Sequence, residues 1–185
     1  MGWRWLDKIS KKIIMKFFTS QKEFFEKINS EKNKNFENNL CWLVNIFIIL
    51  KNNWVKISEK EIFDKAIEIN AFGENIGWKY GKLIELFNFY WNLSTEGFNP
   101  LYIFDARFFH NFRLKKIFKN FENKIFMASV DFWENHLIII EKIEKNIIFY
   151  KSVWTKDKEA KNNWKINFED FFKIYNKRGI LVNKN

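Results

Sequence analysis

Cys41 is the only cysteine of the chain, and His110 and His136 are its only histidines, so any thiol chemistry must be built from these three residues. A thiol attacks as its thiolate, which needs either an electropositive setting or an imidazole within hydrogen-bond reach. Cys41 stands at the mouth of an apolar run, Leu40-Cys41-Trp42-Leu43-Val44-Asn45-Ile46-Phe47-Ile48-Ile49-Leu50. The run is apolar on every face except at Asn45, the pattern of a helix packed centrally in a soluble domain. It is well short of the roughly 20 residues that span a bilayer. Asn38 and Asn39 precede it and Lys51-Asn52-Asn53 closes it. Cys41 thus falls in the first turn, where unpaired N–H groups and the positive end of the helix dipole favour a thiolate. A small buried hydrophobe is the other ordinary role of a free cysteine.

His136 opens the run His136-Leu137-Ile138-Ile139-Ile140-Glu141-Lys142-Ile143, directly after the polar corner Asp131-Phe132-Trp133-Glu134-Asn135. That is where a side chain emerges at the end of a sheet. His110 lies in the aromatic segment Phe108 to Phe112, without comparable context. A helix N-terminus facing a strand start is one way to bring a thiol and an imidazole together from distant parts of a sequence.

The elements that must position these residues follow from spacing. In the segment 3–18, Leu6, Ile9, Ile13 and Phe17 recur at helical intervals, and Ser20-x-x-Glu23 opens a second helical segment as a capping box. Residues 1–29 read as a basic amphipathic arm. From Met1 to Asn35 there are nine Lys/Arg against four Asp/Glu, a net of +5, which is half of the whole chain's +10. Such an arm lies weakly on an anionic membrane surface, docks on a partner, or packs against its own domain. Ser58-Glu59-Lys60-Glu61 is a second capping box, before Ile62, Phe63, Ala66, Ile67 and Ile69 at helical spacing. Gly73, Gly77 and Gly81 punctuate a loop to a helix over 82–91, and Pro100 ends the helical half.

The second half changes character. A short strand is expected over 101–104 and a basic helix over 112–121, followed by strands over 125–130 and 136–143. A tight turn at Glu144-Lys145 leads into a strand over 146–151, a β-hairpin. A helix over 168–176 and a strand over 179–182 close the chain. Helices first and antiparallel strands later give an α+β architecture of two packed layers, a helical N-terminal half on a C-terminal antiparallel sheet, with the domain running over 30–185.

Composition excludes several classes. One cysteine rules out an internal disulfide framework, no Cys/His cluster suggests zinc, and no glycine-rich phosphate loop or nucleotide fingerprint is present, so no cofactor is expected. The N-terminus lacks the uninterrupted apolar core of a secretory signal, so a cytoplasmic location is expected. A pI of 9.5 with 20% aromatic residues suits a nucleic-acid binder. Lys, Asn, Ile and Phe dominate as AT-rich codons would dictate, however, and no nucleic-acid-binding signature appears, so nucleic acid is not expected as the main partner.

Three stretches carry a family resemblance: Cys41-Trp42 at a helix start, Asn135-His136-Leu137-Ile138-Ile139-Ile140 at a strand start, and Lys151-Ser152-Val153-Trp154 sixteen residues further on. In their order and spacing over roughly residues 30–183 the chain resembles a papain-fold cysteine peptidase, and in its compactness the double-glycine leader peptidase-like group. The resemblance implies a papain-like fold and hydrolysis of a peptide or isopeptide bond, with Cys41 as nucleophile and His136 as base. It also implies that Asn35, standing where the family usually has glutamine, joins the Cys41 backbone N–H in an oxyanion hole. Ser152 takes the place of the orienting asparagine or aspartate and accepts a hydrogen bond from the imidazole Nδ1–H. Trp154 matches the family's tryptophan, while Trp42 replaces the glycine that leader peptidases carry after the cysteine. The partner implied is a peptide or protein substrate. Acyl transfer to an amine would use the same dyad, a non-catalytic binding domain would use the same fold, and the oligomeric state is not legible.

Overall fold

A computed structural model describes residues 17–28, 36, 39–73, 77–95, 102–105, 111–122, 124–131, 135–153 and 164–183. The first layer is helical: α1 (Gln21–Ile28), α2 (Cys41–Asn52), α3 (Glu59–Glu68) and α4 (Tyr80–Thr95), with a two-stranded ribbon of β1 (Phe72–Gly73) and β2 (Gly77–Trp78) between α3 and α4. The glycines at 73 and 77 therefore belong to a ribbon where a plain loop was expected, and Gly81 lies inside the first turn of α4. The segment 3–16 lies outside the described residues.

Both capping boxes form. The Ser20 N–H donates to Glu23 Oε2 at 2.8 Å and the Glu23 N–H to Ser20 Oγ at 3.1 Å. At α3 the reciprocal pair joins Ser58 and Glu61 at 2.7 and 3.2 Å. Each satisfies two N–H groups that a helix start leaves without partners. α2 is buried from Leu43 to Leu50, and α1 packs on it through a T-shaped contact of Phe24 with Phe47, centroids 5.3 Å apart. Ahead of α1, the Phe17 N–H donates to Asn52 Oδ1 at 2.9 Å and Asn52 Nδ2 donates to the Phe17 carbonyl at 2.7 Å. The chain before α1 is thereby clamped to the end of α2.

α2 and α3 end in the same way. The Val55 N–H reaches the Leu50 carbonyl and the Trp54 N–H the Lys51 carbonyl; at α3, Ala71 reaches Ala66 and Asn70 reaches Ile67. These are paired bonds of a Schellman motif, whose penultimate residue must adopt a left-handed conformation. Asn70 has φ 53° and Trp54 φ 67°. Asparagine tolerates that conformation, whereas for a bulky L residue it costs on the order of 1 kcal/mol or more.

The second half forms one antiparallel six-stranded sheet in the order β3-β8-β4-β5-β6-β7, from β3 (Tyr102–Asp105), β4 (Lys124–Asp131), β5 (Asn135–Glu144), β6 (Ile147–Ser152), β7 (Trp164–Asn167) and β8 (Tyr175–Asn183). The β5–β6 turn is Lys145-Asn146, one residue later than expected. Both residues have positive φ, 47° and 66°, the type I′ geometry whose twist matches that of the flanking strands. β7 is an additional edge strand, and β8 starts four residues before the expected strand, bending at Lys177 with φ 54°. Gly179 in β8 is required by close approach, because a Cβ there would stand 2.6 Å from the Phe126 ring and 2.7 Å from the Met127 carbonyl oxygen.

Alternation sorts the sheet into two apolar faces. Ile125, Met127, Leu137, Ile139, Ile180 and Val182 share a core with the helical layer. Phe126, Ala128, Val130, Ile138, Ile140 and Leu181 share another with α5 (Asn111–Lys119) and α6 (Phe168–Ile174), through Leu114, Phe118 and Phe171. The expected α+β class holds. The sheet is covered on both faces, so there are three layers instead of two; an antiparallel sheet whose strands are apolar on both sides requires a second cover.

Candidate functional site

Cys41 is the first residue of α2, and Leu40 at the N-cap contributes no side-chain bond to the turn. The helix end is fixed from outside. Trp78 Nε1 donates to the Asn39 carbonyl, and Trp42 meets Tyr80 edge-on with centroids 4.8 Å apart. Asn45 sits one turn into the helix with no exposed surface, and its Nδ2 donates to the Cys41 carbonyl at 2.7 Å. Its Oδ1 has no hydrogen-bond partner among the described residues. Trp78, Tyr80 and Asn45 were not picked out by the spacing of reactive residues; Asn45 was visible only as the one polar interruption of the apolar run.

Two opposing effects set the ionisation of Cys41. The backbone N–H groups of Trp42 and Cys41 lower its pKa, as the helix start should. Burial acts more strongly in the other direction: although Cys41 keeps some surface open, protein crowds the sulfur and pushes its pKa up to about 11. At neutral pH the thiol is therefore protonated. The helix-start argument for a thiolate is thus correct in sign and outweighed in size.

His136 is 8% exposed, and its Nε2 lies 2.5 Å from Ser152 Oγ. The hairpin explains the meeting. Ser152 stands opposite Ile138, so His136, two residues earlier on the same face, is its diagonal neighbour. Ser152 therefore meets Nε2 and not the expected Nδ1. Burial pulls the imidazole pKa down to about 4, leaving it neutral at pH 7.

The sheet brings His136 and Ser152 together but separates them by face from the body of α2. His136 pairs directly with Val130, and Ser152 with Ile138; both apolar partners belong to the core shared with α5 and α6. α2 packs on the opposite face, through the core that contains Leu137 and Ile139. Among the described residues no hydrogen bond joins the Cys41 thiol to His136. Asn35, Trp154 and His110 lie outside the described residues.

A second polar pair is buried on the α2 face. β5 carries a bulge between Ile140 and Lys142, so Glu141 is an extra residue in the ladder. The Lys151 ammonium lies 3.1 Å from Glu141 Oε1, with the Phe18 ring 6.0 Å above it. Burial raises the Glu141 carboxyl pKa, and Lys151 partly opposes the shift. A groove of about 470 Å³ lined by Glu144, Lys145, Ile147 and Phe149 occupies the hairpin end, roughly 25 Å along β5 from His136. It is too distant to serve the thiol. No group of three metal-ligating side chains occurs among the described residues, and none of their helices is long and apolar enough to cross a membrane.

The fold so described is a mixed helix and antiparallel-sheet domain. No family model and no curated protein matches the chain. Among solved structures it is similar to a double glycine motif protease from an AMS/PCAT transporter, crystallised in complex with the leader peptide. The identity is 11%, the TM-score 0.49, and the match covers 78% of this chain and 82% of that one.

Proposed function

We propose that this protein is a thiol hydrolase acting on peptide or isopeptide bonds, with Cys41 as nucleophile, His136 as proton acceptor and donor, and Ser152 orienting the imidazole. The observation that carries the reading is the His136–Ser152 hydrogen bond. It ties a buried imidazole at a strand start to the residue sixteen positions on, where a papain-like site requires an orienting group. In this reading Nε2–H donates to Ser152 Oγ, and Nδ1 is assigned the role of receiving the thiol proton. In the first step the Cys41 S–H proton passes to Nδ1 as sulfur attacks the carbonyl; the imidazolium then protonates the leaving amine, and water hydrolyses the thioester. The Cys41 N–H, and in this reading the Asn35 amide, hold the oxyanion.

Because both groups rest neutral, no preformed thiolate–imidazolium pair drives the reaction. His136 stands at the first pairs of β5, where the sheet ends, and the reading has its ring reach the thiol around that end when substrate binds. Ser152 supplies no charge to stabilise the imidazolium, which implies slower turnover than a carboxylate in its place would allow. The substrate segment is acidic in this reading, matching the net charge of +10. In this reading the domain that acts runs over 30–185, and residues 1–29 form an arm whose α1 packs into that domain's core.

The test is digestion of a complex peptide mixture followed by mass spectrometry, comparing wild type with Cys41→Ala and His136→Ala. Cleavages present only in the wild type support the proposal, and identical peptide patterns from all three remove it. A second reading, a peptide-binding domain without turnover, is favoured by the placement of His136 on the face away from α2. It calls for retention of uncleaved peptides by wild type and Cys41→Ala alike.

A further inference from the structure

We propose that the groove at the β5–β6 hairpin end binds an extended acidic peptide segment of a partner protein. The sheet is wider than the helical layer that covers it. The core shared with those helices draws on β4, β5, β8 and Val153, and on no residue of β6 or β7. Ile148 and Tyr150 of β6 face α5 and α6, so Ile147 and Phe149 turn to the other side, where the helices do not reach. Ile147 is 39% exposed there. Strand register builds two rows on this uncovered face. Lys142 and Lys165 stand opposite Phe149 from the strands on either side of it, and Glu144 and Asn167 stand opposite Ile147 in the same way. Glu144, Lys145, Ile147 and Phe149 line the groove of about 470 Å³ that results.

Charge selects the occupant. Lysines on the helical layer are neutralised within their own helices, Lys60 by Asp64, Lys65 by Glu68 and Lys82 by Glu85. At the groove only Lys142 is paired, with Glu144, and the exposed Lys145 and Lys165 have no carboxylate partner among the described residues. The Lys142 and Lys165 ammonium groups lie 5.3 and 5.4 Å from the centre of the Phe149 ring. The site therefore offers an apolar floor with unneutralised positive charge at its rim. Its complement is a chain that carries carboxylates on both sides of an apolar side chain. A polynucleotide fits less well, because Phe149 is half-buried beneath ammonium groups, with no ring face free to stack a base, and the Glu144 carboxylate opposes phosphate. The groove lies roughly 25 Å along β5 from His136, so the inference stands whether or not Cys41 turns over a bond.

The experiment is fluorescence anisotropy of a labelled peptide, Glu-Glu-Val-Val-Glu-Glu, titrated with the full chain at about 0.1 M and about 0.5 M salt. Its sequence puts carboxylates on both sides of a valine on either face of an extended chain. Lys-Lys-Val-Val-Lys-Lys, Glu-Glu-Ser-Ser-Glu-Glu and labelled oligothymidine are the comparison probes. Wild type, Lys165→Glu, Lys145→Glu and Ile147→Asp are compared with Lys165→Arg and with Lys56→Glu, an equal charge change on the exposed α2–α3 connection, each with a thermal melt. The wild type should bind the acidic valine peptide, more weakly at high salt, and prefer it to the other three probes. Lys165→Glu, Lys145→Glu and Ile147→Asp should each bind at least about fivefold more weakly without a matching fall in melting temperature, while Lys165→Arg and Lys56→Glu bind as the wild type does. Absence of binding by the wild type overturns the proposal. Equal weakening by Lys56→Glu does so too, since attraction would then follow net charge alone. Equal binding of the serine peptide would remove the apolar floor from the account, and tighter binding of oligothymidine, lost in the same variants, would assign the groove to nucleic acid; either result overturns the proposal.

Discussion

His136 Nε2 and Ser152 Oγ lie 2.5 Å apart on a face of the sheet that α2 does not cover. The bond fixes the imidazole ring from one side, and burial keeps it neutral. Whatever His136 does to the Cys41 thiol must begin from this orientation.

The lowered His136 pKa makes stability depend on pH. The ordinary value is about 6.5 and the folded value about 4, so between these the unfolded chain binds the proton and the folded chain does not. Stability is full above pH 6.5 and is lost as pH falls to 4, by on the order of 2–3 kcal/mol. Glu141, whose carboxyl pKa is raised, acts in the opposite sense. Urea denaturation at intervals from pH 4 to 7.5 should show this loss, and His136→Gln should be less sensitive to acid over the same range.

Gly179→Ala should destabilise the protein by about 1–3 kcal/mol, since the added methyl would overlap the Phe126 ring and the Met127 carbonyl. Phe126→Leu in the same chain should recover only part of the loss, because the Met127 oxygen belongs to the backbone. Chemical denaturation of the single and double variants measures both.

The buried pair of Lys151 and Glu141 should respond asymmetrically to mutation. Lys151→Met leaves a carboxylate buried among apolar groups and should cost about 3 kcal/mol or more. Lys151→Met with Glu141→Leu removes both charges and should lie close to wild type. A double-mutant cycle in urea gives the coupling, and additive losses would show that the two groups do not interact.

Asn45→Leu should leave stability unchanged or raise it, as it removes a buried carbonyl oxygen without a described partner while losing one bond to the Cys41 carbonyl. If Asn45 holds the first turn in place, alkylation of Cys41 should change in this variant even where the melting temperature does not.

What the sequence revealed was local or periodic. Ser20 with Glu23 and Ser58 with Glu61 announce their helices because a capping box is complete within four residues. The apolar stretch from Leu43 to Leu50 announces a buried helix for the same reason. His136 and Ser152 are expected together from the family's sixteen-residue offset; the two-residue turn alone would set Ser152 opposite Ile139, and the bulge at Glu141 moves it opposite Ile138, onto the face of His136. Features that depend on distant packing were missed. Trp164–Asn167 is a short, mostly exposed edge strand with no apolar run to mark it. The bulge at Glu141 is invisible in an apolar strand, and with it the ion pair to Lys151. The start of β8 reads as the tail of a helix until Lys177 bends the chain. For Cys41, neighbours in sequence predict a thiolate, while neighbours in space, which burial sums and a sequence does not, make it a neutral thiol.

The central claim is that Cys41 acts as a nucleophile only with His136 and a bound acyl group. The most direct measurement is the rate of Cys41 labelling across about pH 5 to 10 by iodoacetamide and by a peptidyl epoxide, in wild type and His136→Ala, read as intact mass. The account predicts slow iodoacetamide labelling that rises steeply above pH 9 in both proteins, following the thiol's pKa of about 11. It predicts epoxide labelling near neutral pH in the wild type that is lost in His136→Ala. Epoxide labelling at equal rates in the two proteins would contradict it.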